Sequence, residues 1–370
     1  MKLRISHNNA GHGARRAAYV LIILLTVAAL LANTLPLPSS YISEGNLVLI
    51  AAFGAYGLNL ITGYAGQASI GNAGFMAIGG LGGWYVGQHT SSFLVSLLAG
   101  AASGLIAGAI VGAIALRWRG FYLVLATLAV QSIVVFVMQE IQLGGSKFVA
   151  GFTFDVASIG GWAVDDDQRW FTLLAVLLAL VIFGVVGPID GKFGRAWMAI
   201  RENEGAADVS GINVTWTKIL VFSVGSAIIS LGGALSASYA GSMSYESFTL
   251  DVSTSFIAMI IVGGLGSMTG PLLGAIVVTL IPYLISSGGN SDLGRTLNDL
   301  NGGTGLPFLE IIFYCVIVLL FLVFEPAGLS NLGPRLWRAV RRAAQRRNGS
   351  DVDGPAPAGA LPQDREQVRS

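Results

Sequence analysis

The chain has 370 residues, of which 54% are hydrophobic and 11% charged, with a formal net charge of +1. Soluble domains carry about 25% charged residues, so 41 charges on this length cannot cover a water-facing surface. An ordinary soluble enzyme is excluded, and the near-zero net charge gives no reason to expect a nucleic-acid partner.

In chain order, apolar runs occupy residues 17–35, 47–62, 68–88, 93–116, 121–140, 170–188, 218–240, 252–264, 271–286 and 308–324. The expected fold is therefore an all-α polytopic integral membrane protein with about ten transmembrane or part-spanning helices. Runs 47–62, 252–264 and 271–286 are short for a hydrocarbon layer of about 30 Å. The basic start followed by Ala17–Leu35 resembles a signal peptide. Its apolar run exceeds the usual length of such segments, so it reads as a retained first span.

Charge placement tests this map independently. With the N-terminus inside, the inner segments hold Lys2, Arg4, Arg15, Arg16, Arg117, Arg119, Lys192, Arg195, Arg201, Lys218 and eight arginines from Arg335 to Arg369. Only Lys147, Arg169 and Arg295 remain outside, so both ends are expected in the cytoplasm. The expected organisation is a cytoplasmic segment 1–16, a membrane domain 17–330 with an inner loop 189–217, a basic juxtamembrane segment 331–347 resting on anionic lipid, and a disordered tail 348–370. The acidic triplet Asp165–Asp167 reads as a solvated outer loop, because three consecutive residues do not converge on one cation. The single cysteine, Cys315, lies in an apolar run, where an inert thiol is expected.

Glycine, at 50 residues, is patterned in two ways. Gly100, Gly104, Gly108 and Gly112 recur every four residues, as do Gly79, Gly83 and Gly87, giving smooth helix stripes for close packing. Residues 63–74 (GYAGQASIGNAG) and 263–271 (GGLGSMTGP) instead cluster Gly, Ser, Asn, Gln and Pro between short apolar runs. Paired glycine-interrupted spans point to a transport pathway; ordinary cytoplasmic turns between hairpin helices would look the same. GGLGSMTG is no dinucleotide fingerprint, since its third glycine is late and no strand precedes it.

Several chemistries are missing. No G-x-x-x-x-G-K-[ST] occurs, so no P-loop ATP site is expected. His7, His12 and His89 are scattered without H-E-x-x-H. Ionisable residues are almost absent inside the runs, Glu140 and Glu310 lying near their ends, which disfavours a proton-coupled carrier with buried relays.

The inner loop carries GRAWMAIRENEGAADVSGINVTWTK from Gly194. Asn203 can cap a short helix that Gly211 stops. Two turns are too few for a stable isolated helix, so it is expected either under the membrane surface or docked on a cytosolic partner.

This loop resembles the E-A-A-x-x-x-G loop of ABC-importer permeases: Ala206, Ala207 and Gly211 fit the spacing, with Gly205 where the motif has Glu, and the later I-x-L-P is absent. GYAGQASIGNAGF (63–75), RGFYLVLATLA (119–129), GRAWMAIRENEGAADVSGIN (194–213), VGGLGSMTGPLLGA (262–275) and FEPAGL (324–329) together resemble the LivM family, the M-type permeases of branched-chain amino acid importers.

The resemblance implies a multi-pass subunit of the bacterial cytoplasmic (inner) membrane. An H-type permease would pair with it, two ABC ATPase subunits would bind ATP and Mg below, and an extracytoplasmic solute-binding protein would deliver substrate above. The chain itself would hold no cofactor or metal and catalyse no reaction. It further implies that Glu202, Glu204, Ala206, Ala207, Asp208 and Gly211 couple to an ATPase, with the small residues allowing close docking. Tyr64, Gln67, Ser69, Asn72, Ser267 and Met268 are the candidates for lining the pathway. A urea or short-amide importer permease, or a stand-alone small-solute channel, remains an alternative; the channel would not explain the docking loop.

Overall fold

A computed structural model describes residues 10–34, 38–90, 92–115, 121–144, 151–154, 157–159, 162–288, 316, 319 and 328–331. Residues 1–330 form one unit; of the second, 331–370, only Asn331 is described. The expected cytoplasmic start, the run 308–324 apart from Val316 and Leu319, Cys315, the juxtamembrane segment and the tail thus lie outside the described residues.

Eleven α-helices are present among the described residues: α1 (Ala10–Thr34), α2 (Ser39–Leu58), α3 (Asn72–Gly87), α4 (Phe93–Ala115), α5 (Phe121–Gly144), α6 (Asp167–Asp190), α7 (Lys192–Glu202), α8 (Glu204–Val209), α9 (Val214–Ala240), α10 (Leu250–Gly263) and α11 (Gly270–Gly288). Among the described residues, six segments are long and apolar enough to cross a membrane: Ser39–Tyr64, Phe93–Ile114, Tyr122–Gly144, Asp167–Asp190, Val214–Ala240 and Tyr245–Gly263. The chain is an all-α polytopic membrane protein; among the described residues, two short loop pairings join β1 (Phe152–Thr153) to β4 (Ser242–Met243) and β2 (Ser158–Ile159) to β3 (Trp162–Ala163).

The span expected at 47–62 is longer than its apolar run. It starts at Ser39 and continues through a π-helical turn, Asn59–Tyr64. Its polar first turns are tied to other helices. Ser43 Oγ donates to Asp167 Oδ2 (2.6 Å), Tyr239 Oη to Asp167 Oδ1 (2.8 Å), and Asn46 Nδ2 to the Asp167 carbonyl (3.1 Å). Asp167 thus fixes the start of α2 and the end of α9 to one end of the bundle. At the far end of α6, Asp190 pairs with Arg15 of α1 at 2.8 Å. These acids, the first and last residues of a 24-residue helix, mark the two ends.

Helices α2 and α9 are the most enclosed spans and α5 among the least. The glycine stripes do what their spacing predicts. A Cβ at Gly79 would run into the Ser230 carbonyl of α9, and one at Gly100 would lie 2.7 Å from the Gly79 carbonyl. A Cβ at Gly108 would lie 2.6 Å from the Ser226 Cβ, and one at Gly112 3.3 Å from the Phe222 Cβ. Ser230 Oγ completes the seam by donating to the Phe75 carbonyl (2.6 Å). Helices α3, α4 and α9 are therefore packed backbone against backbone.

Candidate functional site

The two glycine-rich breaks, about 200 residues apart in sequence, meet at the Asp190 end. Asn59, buried in the π-helical turn, holds them together: its Oδ1 accepts from the Gly266 amide (2.8 Å) and its Nδ2 donates to the Ser267 carbonyl (2.9 Å). Tyr56 Oη donates to the Met268 carbonyl (2.9 Å), and Tyr64 Oη lies 4.0 Å from Met268 Sδ. Gly63 has no room for a Cβ, which would fall 2.6 Å from the Gly266 nitrogen. Gly66 and Gly266 have φ of +69° and +72°, left-handed backbone that glycine adopts without strain.

From Gly66 the first break climbs into the bundle, and α5 serves as a ruler for its course. The Ile70 amide bonds Thr127 Oγ1 (3.1 Å), and a Cβ on Gly74 would lie 2.8 Å from Gln131 Cα. Thr127 and Gln131 stand about 9 and 15 Å along α5, at 1.5 Å per residue. There the first turns of α3 and α10 converge. The Ala73 amide donates to Ser253 Oγ (2.9 Å), whose hydroxyl donates to Gln131 Oε1 (2.7 Å), while Gln131 Nε2 reaches the Thr249 carbonyl (3.3 Å). Interior side chains thus satisfy backbone that would otherwise be stranded at membrane depth, the condition under which an irregular segment survives there.

Of the expected pathway residues, Tyr64, Ser267 and Met268 are brought together. Gln67, Ser69 and Asn72 are buried along the climbing segment. Gln67 Nε2 and both polar atoms of the Asn72 side chain are buried without a hydrogen-bond partner. Ser267 also caps α11, its Oγ accepting from the Gly270 amide (3.0 Å). Neutral hydrogen bonds of this kind contribute about 1 kcal/mol each, so the seam between the breaks is specific in geometry but light enough to open.

The inner loop folds as two helices rather than one. The amphipathic α7 buries Gly194, Trp197 and Ile200 against the bundle. A turn later, Asn203 Oδ1 accepts from the Ala206 amide (3.1 Å) and caps α8; Gly211, at φ +83°, ends it, with the Ile212 amide bonding the Ala207 carbonyl. Glu202, Ala206, Asp208 and Gly211 are exposed. Ala207 faces inward at 3% exposure, so it seats α8 on the chain itself. Glu204 is half-buried and paired with Lys218 of α9. Val209, 91% exposed, and Trp216, 63%, are the large apolar groups presented there. Arg201, at the end of α7, donates from Nη1 to the Gly63 carbonyl and so touches the breaks. Asn59, Arg201 and Val209 went unmarked in the sequence; an apolar residue on an otherwise polar two-turn helix was the available signal for Val209.

Comparison with known proteins places the sequence in a family. Residues 41–324 match the family model described as the branched-chain amino acid transport system permease component. The chain belongs to that family. It is a multi-pass inner-membrane protein. It is 30% identical to the high-affinity branched-chain amino acid transport permease LivM of Escherichia coli K12, over 63% of this chain and 61% of that one. It is 27% identical to a probable LivM of Methanocaldococcus jannaschii over 46% of each. The xylose transport permease XylH of Escherichia coli K12 is 30% identical over 32% of this chain and 31% of its own. The chain thus spans about three-fifths of the length of the first of these relatives. No solved structure matches it.

Proposed function

We propose that this chain is the permease subunit of an ATP-binding-cassette importer and forms, with a second, H-type permease, the pathway for leucine, isoleucine and valine. The observation that supports this reading most is the family match combined with α8, a short capped helix that exposes Val209 at the Asp190 end. In this reading the Asp190 end faces the cytoplasm, both termini lie there, and about ten segments cross or partly cross the bilayer. Two ATPase subunits bind ATP and Mg and dock on α8 through Glu202, Ala206, Asp208, Val209 and Gly211. Ala207 and Glu204 act one step back, seating α8. A solute-binding protein delivers substrate from outside, and the chain holds no cofactor and performs no hydrolysis.

Selectivity at the receptor leaves the permease a weak, low-barrier route, in keeping with spans that hold few ionisable groups. Tyr64, Gln67, Ser69, Asn72, Ser267 and Met268 line that route. The test is purification of the tagged chain from its native membranes and identification of its companions by mass spectrometry. Two ATPases and a second permease, with leucine but not urea or xylose taken up by the reconstituted complex, are expected. A homo-oligomer without ATPases, in a detergent that preserves such complexes, would overturn the reading.

A further inference from the structure

The breaks and the docking helix share one side chain. Arg201 lies two residues before Asn203, the cap of α8, and the Asn203 amide bonds the Ala199 carbonyl (3.0 Å), so the end of α7 and the start of α8 form one stiff corner. From that corner the Arg201 stem crosses Gly66, where a Cβ would lie 2.7 Å from its Cγ. Its Nη1 bonds the Gly63 carbonyl and sits over Gly266, where a Cβ would be 2.9 Å away. The Gly63 carbonyl is among the last of the span Ser39–Tyr64, and Gly266 stands three residues beyond the end of α10. The guanidinium is therefore placed at two helix C-termini at once, where unsatisfied carbonyls and the helix dipoles favour a cation.

Arg201 thus reaches both breaks from the loop. The second link of α8, Glu204 to Lys218, leads to α9 and the glycine-packed core instead. A planar, permanently charged fork suits a position that must hold a carbonyl while remaining close to a second backbone segment, which a lysine point charge does less well.

We propose that Arg201 is the positioning residue that transmits displacement of α8 to both breaks, so that docking below opens or closes the Asn59 seam. This rests on the reading of α8 as an ATPase-docking helix. When the corner moves, Arg201 carries the Gly63 carbonyl and the loop at Gly266 with it. Without its donors, α8 still docks but the breaks no longer follow.

The test uses the whole co-purified complex with Cys315 replaced by Ser, and spin labels at Leu265→Cys and Ile133→Cys. Both positions are exposed, one in the second break and one on α5. With ATP and vanadate the label distance shifts in the otherwise unaltered complex and stays unshifted in Arg201→Met, which keeps the aliphatic stem over Gly66 and loses the donors. ATP hydrolysis in Arg201→Met stays within twofold, while solute moved per ATP falls at least tenfold; Arg201→Lys recovers part of both readouts. A shift that persists in Arg201→Met, or transport per ATP within twofold of the parent, overturns the proposal. If Arg201→Met does not assemble, Arg201→Lys decides by the same two readouts, and full coupling in it overturns the proposal. A parent complex without ATPases would instead refute the importer reading, before any variant is made.

Discussion

Glycine is used in two regions of this molecule for opposite reasons. In α3, α4 and α9 it is absence of bulk: Gly79, Gly100 and Gly108 let backbones approach to distances that any side chain would prevent. In the breaks at 65–71 and 264–269 it is freedom of backbone: Gly66 and Gly266 take a left-handed conformation, and what holds the segments is polar, through Asn59, Ser253, Gln131 and Arg201. The first region has one close-packed arrangement, because interiors at native density do not deform continuously. The second is held by a few separable hydrogen bonds. One fold therefore contains a rigid block and a seam that can reopen against it.

The comparison breaks most sharply at Gly79. Gly79→Val should force α3 away from the Ser230 carbonyl and cost about 3 kcal/mol, the upper end of what overpacking usually costs. The unfolding midpoint of the purified protein in detergent would show it, and an unchanged midpoint would mean the stripe is not a contact. Asn59→Ala comes next. It leaves the partly buried Gly266 amide and Ser267 carbonyl without their partner, at about 2 kcal/mol in total. It should loosen the seam as well as the fold, so proteolysis near 264–269 should quicken while α3 and α9 stay protected in hydrogen exchange. Equal loss of protection in α9 would show that the two regions are one cooperative unit.

How much of this was legible in the sequence follows the same division. The stripes were, because spacing of four on a helix is a local property that survives folding unchanged. So was the α8 turn, where Asn203 and Gly211 act within a few residues of where they stand. The polar start of α2 was not: Ser43 and Asn46 look like loop residues until Asp167 and Tyr239 arrive from over 100 residues away. Helix α7 was hidden because its buried face is only Gly194, Trp197 and Ile200 amid charge. The meeting of the breaks at Asn59 was equally out of reach, since a single asparagine in an apolar run carries no sign of its partners. Ala207 shows the limit of motif spacing. A small residue reads as room for a partner, yet here the room is filled by the chain itself.

Smaller effects sharpen the comparison at the Asp190 end. Lys218→Met removes the partly buried partner of Glu204 and should cost about 1 kcal/mol, the upper range for pairs that retain contact with solvent. The loss should diminish as salt is added, because screening weakens the pair in the parent protein. A loss independent of salt would assign the effect to packing of the lysine stem.

The smallest effect on stability is the most informative about function. Val209 is 91% exposed and contributes nothing to the core, so Val209→Asp should change stability by no more than about 0.5 kcal/mol, as surface substitutions do. Ala207→Arg cannot serve in its place, because a buried position would unseat α8 and confuse folding with docking. In Val209→Asp a charge replaces the apolar group at the tip of an otherwise intact helix. Recovery of ATPase subunits with the purified chain should fall at least tenfold, with the melting curve unmoved. Undiminished recovery would place the docking contact elsewhere on the loop, with Trp216 the next group to change.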